Sequence, residues 1–158
     1  MAIEQSVSMA TAKDSFFIAA ADDARPPRDW TETVVAERAE VVLNQAVNAE
    51  YRHLVVRCGP VAAKAVAGQF FQLLCPHPDG EQPFLRRPMS LYGVDPARQE
   101  VEFLYKVTGA GTRGLALIAP GDRLDIMGPL GKGFDLDPGL RHIVAVGRGA
   151  GLATLAPL

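Results

Sequence analysis

RPMSLYGVDPARQEVEFLYKVTGAGT, residues 87–112, holds the reading that decides the fold. Its opening, Arg87–Val94, and its middle, Gln99–Val107, are short runs of aliphatic and aromatic residues, the composition that fits a pleated, half-buried surface. Asp95 and Pro96 part them as turn formers. The second run passes into Thr108-Gly-Ala-Gly-Thr112, and RGLALIA (113–119) behind it reads as an apolar helical turn or two, halted by Pro120 and Gly121.

Outward from that stretch the pattern stays with strands. TETVVAERAEVVL (31–43), YRHLVVRC (51–58) and GQFFQLLC (68–75) precede it, and DRLDIMG (122–128) follows. Six strands this close together, with one short helix inserted late, predict a mainly β domain over residues 31–138. The expected form is a six-stranded antiparallel Greek-key barrel.

Residues 1–30 carry no sustained period and end in ADDARPPRD (21–29), so an extension, flexible by composition, is expected there. Residues 139–158 read differently. RHIVAVG (141–147) has the form of a buried strand entering Gly147-Arg-Gly149-Ala-Gly151, and LATLAPL (152–158) reads as the first residues of a helix. That is the first strand and glycine turn of a Rossmann-like domain, here expected to be truncated.

The 158 residues are 48% hydrophobic and 22% charged, with formal net charge -2 and both signs mixed along the chain. This offers no basic face for nucleic acid and no polybasic segment for a membrane surface. No apolar run approaches the ~18 residues of a membrane span. The one short N-terminal run, Phe16–Ala21, lies between Glu4 and Asp22-Asp23, which is poor signal-peptide chemistry, so a cytoplasmic location is expected. Cys58 and Cys75 lie in apolar runs and read as buried reduced thiols. An iron–sulfur cluster needs about four thiolates, so this chain alone cannot hold one. His53, His77 and His142 are scattered, and neither a metal ligand nor a catalytic residue is assigned.

Four motifs carry chemistry, each with a plainer reading beside it. Gly109-Ala-Gly111-Thr112 puts backbone N–H groups beside a helix start, suited to a pyrophosphate; a capped turn looks the same. In Arg86-Arg87-Pro88-Met89-Ser90, Arg87 can hold a phosphate through two parallel hydrogen bonds and Ser90 can meet a polar ligand edge. The same residues also suit an edge strand protected by charge and proline. Gly128-Pro-Leu-Gly131-Lys-Gly133-Phe134 permits close backbone approach or is a plain turn. Gly147, Gly149 and Gly151, between strand and helix, mark where a nicotinamide dinucleotide would lay its phosphates.

The succession GQF, RRPMS, LYKVTGAGT, GPLGKGF and VAVGRGAGLATLAPL resembles the ferredoxin-reductase-like flavoproteins, and within them the electron-transfer subunit of dihydroorotate dehydrogenase. The resemblance runs from about Val34 to the C-terminus. It implies that the barrel binds FAD, lined by Arg87, Pro88, Met89 and Ser90, with Arg87 on the pyrophosphate and Ser90 near the isoalloxazine. Leu104, Tyr105 and Lys106 would form the neighbouring strand's contact, and Gly111 and Thr112 the phosphate N–H groups and helix cap. The cofactors implied are FAD here and NAD(P)H for the complete protein; the family's iron–sulfur cluster lies beyond this chain.

The implied function is to accept hydride from NAD(P)H and pass electrons to an iron–sulfur centre or a partner flavoprotein, with a catalytic or electron-accepting subunit as partner. Turnover by this chain alone is not expected. The other reading is a non-catalytic docking subunit of a larger oxidoreductase that has lost flavin binding. One departure bears on the nicotinamide site: Arg148 stands where the family usually has a glycine. A large cation there would favour a phosphorylated cofactor or block binding.

Overall fold

The computed structural model describes residues 33–76 and 85–158. The expected extension 1–30, His77 and Phe84 lie outside the described residues. Seven strands are present: β1 Val35–Ala46, β2 Tyr51–Arg57, β3 Phe70–Leu74, β4 Arg87–Ser90, β5 Gly93–Asp95, β6 Glu100–Lys106 and β7 Arg123–Leu130. A helix, α1 (Ala110–Leu115), sits between β6 and β7, as expected, beginning three residues ahead of RGLALIA. Among the described residues no helix is long and apolar enough to cross a membrane.

The strands form one antiparallel sheet in the order β4-β3-β7-β1-β2-β6-β5. Its two edge strands are consecutive in the chain. From Ser90 to Gly93 the backbone can stretch about 11 Å at most, whereas the edges of a flat seven-stranded sheet lie about 29 Å apart. The sheet therefore has to curl until β4 and β5 meet. Leu91 and Tyr92 make the join: the N–H of Leu91 donates to Gln69 O on the β3 side at 3.0 Å, and that of Tyr92 to Glu102 O on β6 at 2.8 Å. This change of neighbour divides RPMSLYGV, read in sequence as one strand, into β4 and β5, and makes the six expected strands seven.

Alternation fills the interior. Phe71 and Leu73 of β3, Val101, Phe103 and Tyr105 of β6, and Leu124 and Ile126 of β7 are all at most 2% exposed and share one core. Phe71 and Phe103 meet edge to face, with ring centroids 5.5 Å apart. Gly128 is the residue that leaves Phe71 its place, because a Cβ there would fall 2.3 Å from the ring.

In β1 the register shifts between Val41 and Leu43, an irregularity that inserts one residue. The inward phase set by Ala39 and Val41 then resumes at Asn44, which is turned into the core. The bulge thereby brings a polar side chain inside.

The C-terminal stretch corrects one expectation. Residues 141–147, read as a buried strand, pair with no strand among the described residues, and Val144 and Val146 are each 89% exposed. An apolar run becomes a strand only where a neighbouring ladder takes up its backbone groups. A 3₁₀ turn, Gly149–Gly151, and a short helix, α2 (Leu152–Leu155), follow, as the glycine turn and helix start were read.

Candidate functional site

The two arginines of RRPMS separate. Arg86 is structural: its Nη2 donates to Asp125 Oδ1 at 2.9 Å, and its Nη1 reaches Gln72 O and Asp125 O, each at 3.4 Å, tying β4's entry to β3 and β7. Arg87 makes no ion pair among the described residues; its Nη1 donates to the carbonyls of Leu85 and Arg86. Its guanidinium lies against α1, where a Cβ on Gly111 would come within 3.0 Å of Arg87 Nε. Two motifs read separately in the sequence are thus neighbours, and glycine at 111 makes the room. β4 is also an edge strand with Pro88 exposed, so the protected-edge reading of the same residues holds geometrically too. In register with β3, Arg87 and Met89 stand opposite the inward residues Leu73 and Phe71, whereas Pro88 and Ser90 stand opposite Gln72 and Phe70.

At the glycine loop, Thr112 Oγ1 accepts from the N–H groups of Thr108 (2.9 Å) and Gly109 (3.1 Å) and donates to Gly109 O (3.1 Å). That uses both lone pairs and the proton of the hydroxyl. Thr112 therefore caps the helix by reaching back from inside its first turn, with Gly109 as the extended residue before it. The donors that a helix start leaves without intrahelical partners are then those of Ala110, Gly111 and Thr112, beside Arg87.

On β6 the three expected contact residues split by face. Leu104 and Lys106 point outward, and Tyr105 is turned into the core, 2% exposed, so only its backbone faces the site. Tyr105 Oη donates to Asn44 Oδ1 at 2.9 Å. Burial raises the Tyr105 phenol above its ordinary value. Lys106 is engaged by Glu50 at 2.7 Å, a contact that raises its pKa, and lies 5.9 Å from the centroid of the Tyr51 ring.

Of the C-terminal glycines, Gly149 meets the barrel. Gly149 has φ +58°, a conformation that side chains rarely adopt, and a Cβ there would lie 2.8 Å from Tyr51 Oη. Gly147 packs under Leu152 and Leu155, and Gly151 has nothing near its missing Cβ. Two helical residues on, Ala153 is 1% exposed, and the Thr154 and Ser90 hydroxyls share a hydrogen bond of 2.9 Å. The GPLGKGF turn uses its close approach on the chain itself: Phe134 N donates to Ala67 O at 3.0 Å, against the turn at Gly68 (φ +92°). Tyr51, Asn44 and Thr154 were not singled out in the sequence. Nothing in the local pattern or spacing marks them.

Cys58 and Cys75 are free and buried, as expected. Burial pushes the Cys58 thiol up to about 12, with the nearby Glu37 carboxylate adding to it; burial takes Cys75 to about 11 against the opposing charge of Arg87. The native state therefore holds both thiols protonated. Their raised values leave stability untouched below the ordinary thiol value of 9.0 and erode it as pH climbs from there toward 12. A thiol-specific disulfide reagent at neutral pH is expected to leave both unmodified in the folded protein and to modify both in denaturant; rapid reaction of either in the folded state would contradict the burial.

No protein-family model matches the chain. The electron transfer subunit of dihydroorotate dehydrogenase B (NAD(+)) from Listeria monocytogenes is 33% identical over 119 residues, 74% of this chain and 46% of that protein. Its counterpart from Desulforamulus reducens is 43% identical over 96 residues, 60% of this chain and 36% of its own length. The chain thus spans less than half the length of these relatives. Among solved structures, a ferredoxin reductase in carbazole 1,9a-dioxygenase superposes with TM-score 0.66 at 26% identity, covering 78% of this chain and 38% of that one. The NADH-dependent reduced ferredoxin-NADP oxidoreductase, described in connection with flavin-based electron bifurcation, superposes with TM-score 0.64 at 27% identity, covering 77% and 42%. The sequence relative and the solved structure each match about three quarters of the chain: its fold is the ferredoxin-reductase-like barrel, and its sequence is similar to the electron transfer subunit of dihydroorotate dehydrogenase B.

Proposed function

We propose that the chain is the FAD-binding part of an electron-transfer oxidoreductase, which accepts hydride from NAD(P)H and passes electrons to an iron–sulfur centre or a partner flavoprotein. The observation that carries the proposal is the placement of the Arg87 guanidinium, without a carboxylate partner among the described residues, against Gly111 at the start of α1. A diphosphate needs a fixed cation and N–H donors converging from one side. Arg87 would supply the first, and Gly111 and Thr112 the second. Ser90 and the outward residues Leu104 and Lys106 would border the ring system, with Pro88 and Met89 completing the β4 wall and Tyr105 contributing backbone only. Bound flavin supplies the conversion of a two-electron hydride into single electrons; the chain's part is to hold and orient it.

Residues 139–158 fit the opening of the nicotinamide-binding part. Gly147, Gly149 and Gly151 lie in the segment whose Gly149 and Thr154 meet Tyr51 and Ser90, and they would take the phosphates of the nicotinamide dinucleotide. The partner in this reading is a catalytic or electron-accepting subunit, as the relatives' description as electron transfer subunits supports.

The test is the visible absorption spectrum of the purified protein, before and after adding FAD, with any chromophore released and identified. Flavin bands with FAD released are the expected result. Protein that stays colourless after FAD is added, yet is folded, would remove the proposal and leave the docking subunit in its place.

A further inference from the structure

We infer that Arg52 is a positioning residue for Arg87: acting through Asn44 and α1, it fixes the surface on which the Arg87 guanidinium lies. The inference rests on the FAD reading above, in which Arg87 meets the diphosphate. Arg52 would touch neither the cofactor nor Arg87.

Arg52 shares a face of β2 with the fully buried Leu54 and stands in register with Tyr105 of β6. Its guanidinium has no carboxylate partner among the described residues and is given to one residue instead. Nη2 donates to Asn44 O at 2.7 Å, and Nε donates to Asn44 Oδ1 at 3.3 Å. A guanidinium can only donate, so the amide oxygen of Asn44 has to face it and the amide nitrogen has to point away. That settles the orientation an asparagine otherwise leaves open. Tyr105 Oη therefore donates to the same oxygen at 2.9 Å, and Asn44 Nδ2 has its two protons for Leu115 O at 2.8 Å and Ile118 O at 2.9 Å. Reversed, the amide would set its oxygen against two carbonyls and its protons against a cation.

Leu115 closes α1, and Gly111 lies one turn earlier on the same face of that helix; both are buried. Gly111 is where the helix meets Arg87, so closely that an added Cβ would stand 3.0 Å from Arg87 Nε. The direction of the guanidinium therefore follows the helix. With six residues, α1 rises only about 9 Å, so a shift at its last carbonyls is carried to Gly111. Lysine could not replace Arg52 in this role. A point donor reaches one oxygen, whereas the planar fork holds the backbone and side-chain oxygens of Asn44 together.

The test is a double-mutant cycle on FAD affinity, with flavin fluorescence titration giving Kd and denaturant unfolding giving stability for each protein. Arg52→Met keeps the apolar stem and removes the donors; Arg52→Lys keeps the charge and removes the fork, and is the milder change should methionine prevent folding. Both are expected to weaken FAD binding by about fivefold. In an Arg87→Ala background neither should weaken it further, while the loss of stability should be the same in both backgrounds. Arg52 and Arg87 share no hydrogen-bond partner. A general loosening of the barrel would lower affinity with or without Arg87, so this coupling marks positioning.

Unchanged affinity in both Arg52 variants would overturn this inference and leave the FAD reading standing. So would an equal loss in the Arg87→Ala background, or full affinity in Arg52→Lys beside a loss in Arg52→Met, which would make Arg52 a distant charge. Failure of the unaltered protein to take up FAD would remove both readings together.

Discussion

Replacing Asn44 by alanine is expected to lower the unfolding free energy by about 3 kcal/mol, since it opens a buried polar network rather than one bond. Asn44 Nδ2 donates to Leu115 O at 2.8 Å and to Ile118 O at 2.9 Å, and Oδ1 accepts from Tyr105 Oη at 2.9 Å and Arg52 Nε at 3.3 Å. Four groups from β2, β6 and the end of α1 therefore converge on one amide that is 9% exposed. Alanine leaves two carbonyls and a phenol without their partner in a site that water reaches poorly. Tyr105→Phe removes only one member and should cost about 1 kcal/mol. The measurement is denaturant unfolding followed by two probes. A loss below about 1 kcal/mol for Asn44→Ala would mean that water replaces the amide at little cost. Because Asn44 ties the C-terminal end of α1 to β1, the same change should also loosen Gly111 against Arg87 and so weaken whatever they bind.

Much of this fold was legible because its strands alternate. Val101, Phe103 and Tyr105 set one phase in β6, and Glu102, Leu104 and Lys106 the other. That alternation also held the sign that Tyr105 points inward, which a reading of Leu-Tyr-Lys as one contact set passes over. The division of RPMSLYGV was not legible, since Leu91 continues the apolar pattern across the break. It is fixed by a change of ladder neighbour, and neighbours belong to the whole sheet. The bulge after Val41 was hidden for the same reason, and Asn44 with it: an asparagine just past the expected strand end reads as a turn former, and only the inserted residue turns it inward. Residues 141–147 failed in the opposite sense. Their periodicity is that of a buried strand, yet periodicity records what a segment can bury and says nothing of whether a neighbour stands beside it.

The candidate site came through the sequence only in pieces. An arginine before proline and a Gly-Ala-Gly-Thr after a strand each had a plain alternative, and their proximity was testable only in three dimensions. Tyr51 and Thr154 had no such mark. Their roles depend on how the C-terminal segment, which carries Thr154, meets Tyr51 and Ser90 on the barrel, a matter of docking rather than of local pattern.

Arg87→Ala is expected to weaken FAD binding by about 2 kcal/mol, roughly thirtyfold in Kd, because a charge-assisted contact to the diphosphate is lost. The adjacent arginine supplies the control. Arg86 is committed to Asp125 and to carbonyls of β3 and β7, so Arg86→Ala should lower stability while sparing the affinity of the protein that remains folded. Arg87→Lys keeps the charge but not the planar fork, and should fall between alanine and the unaltered protein. Gly111→Ala approaches the same point from the other side. Its Cβ would stand 3.0 Å from Arg87 Nε, so it should displace the guanidinium and weaken FAD binding without removing any charge. Affinities measured by flavin fluorescence titration at two salt concentrations would separate the cases, since the contribution of Arg87 should shrink as salt screens it. Equal FAD affinity in Arg87→Ala and the unaltered protein would remove Arg87 from the diphosphate and leave Pro88 and its neighbours as a protected sheet edge.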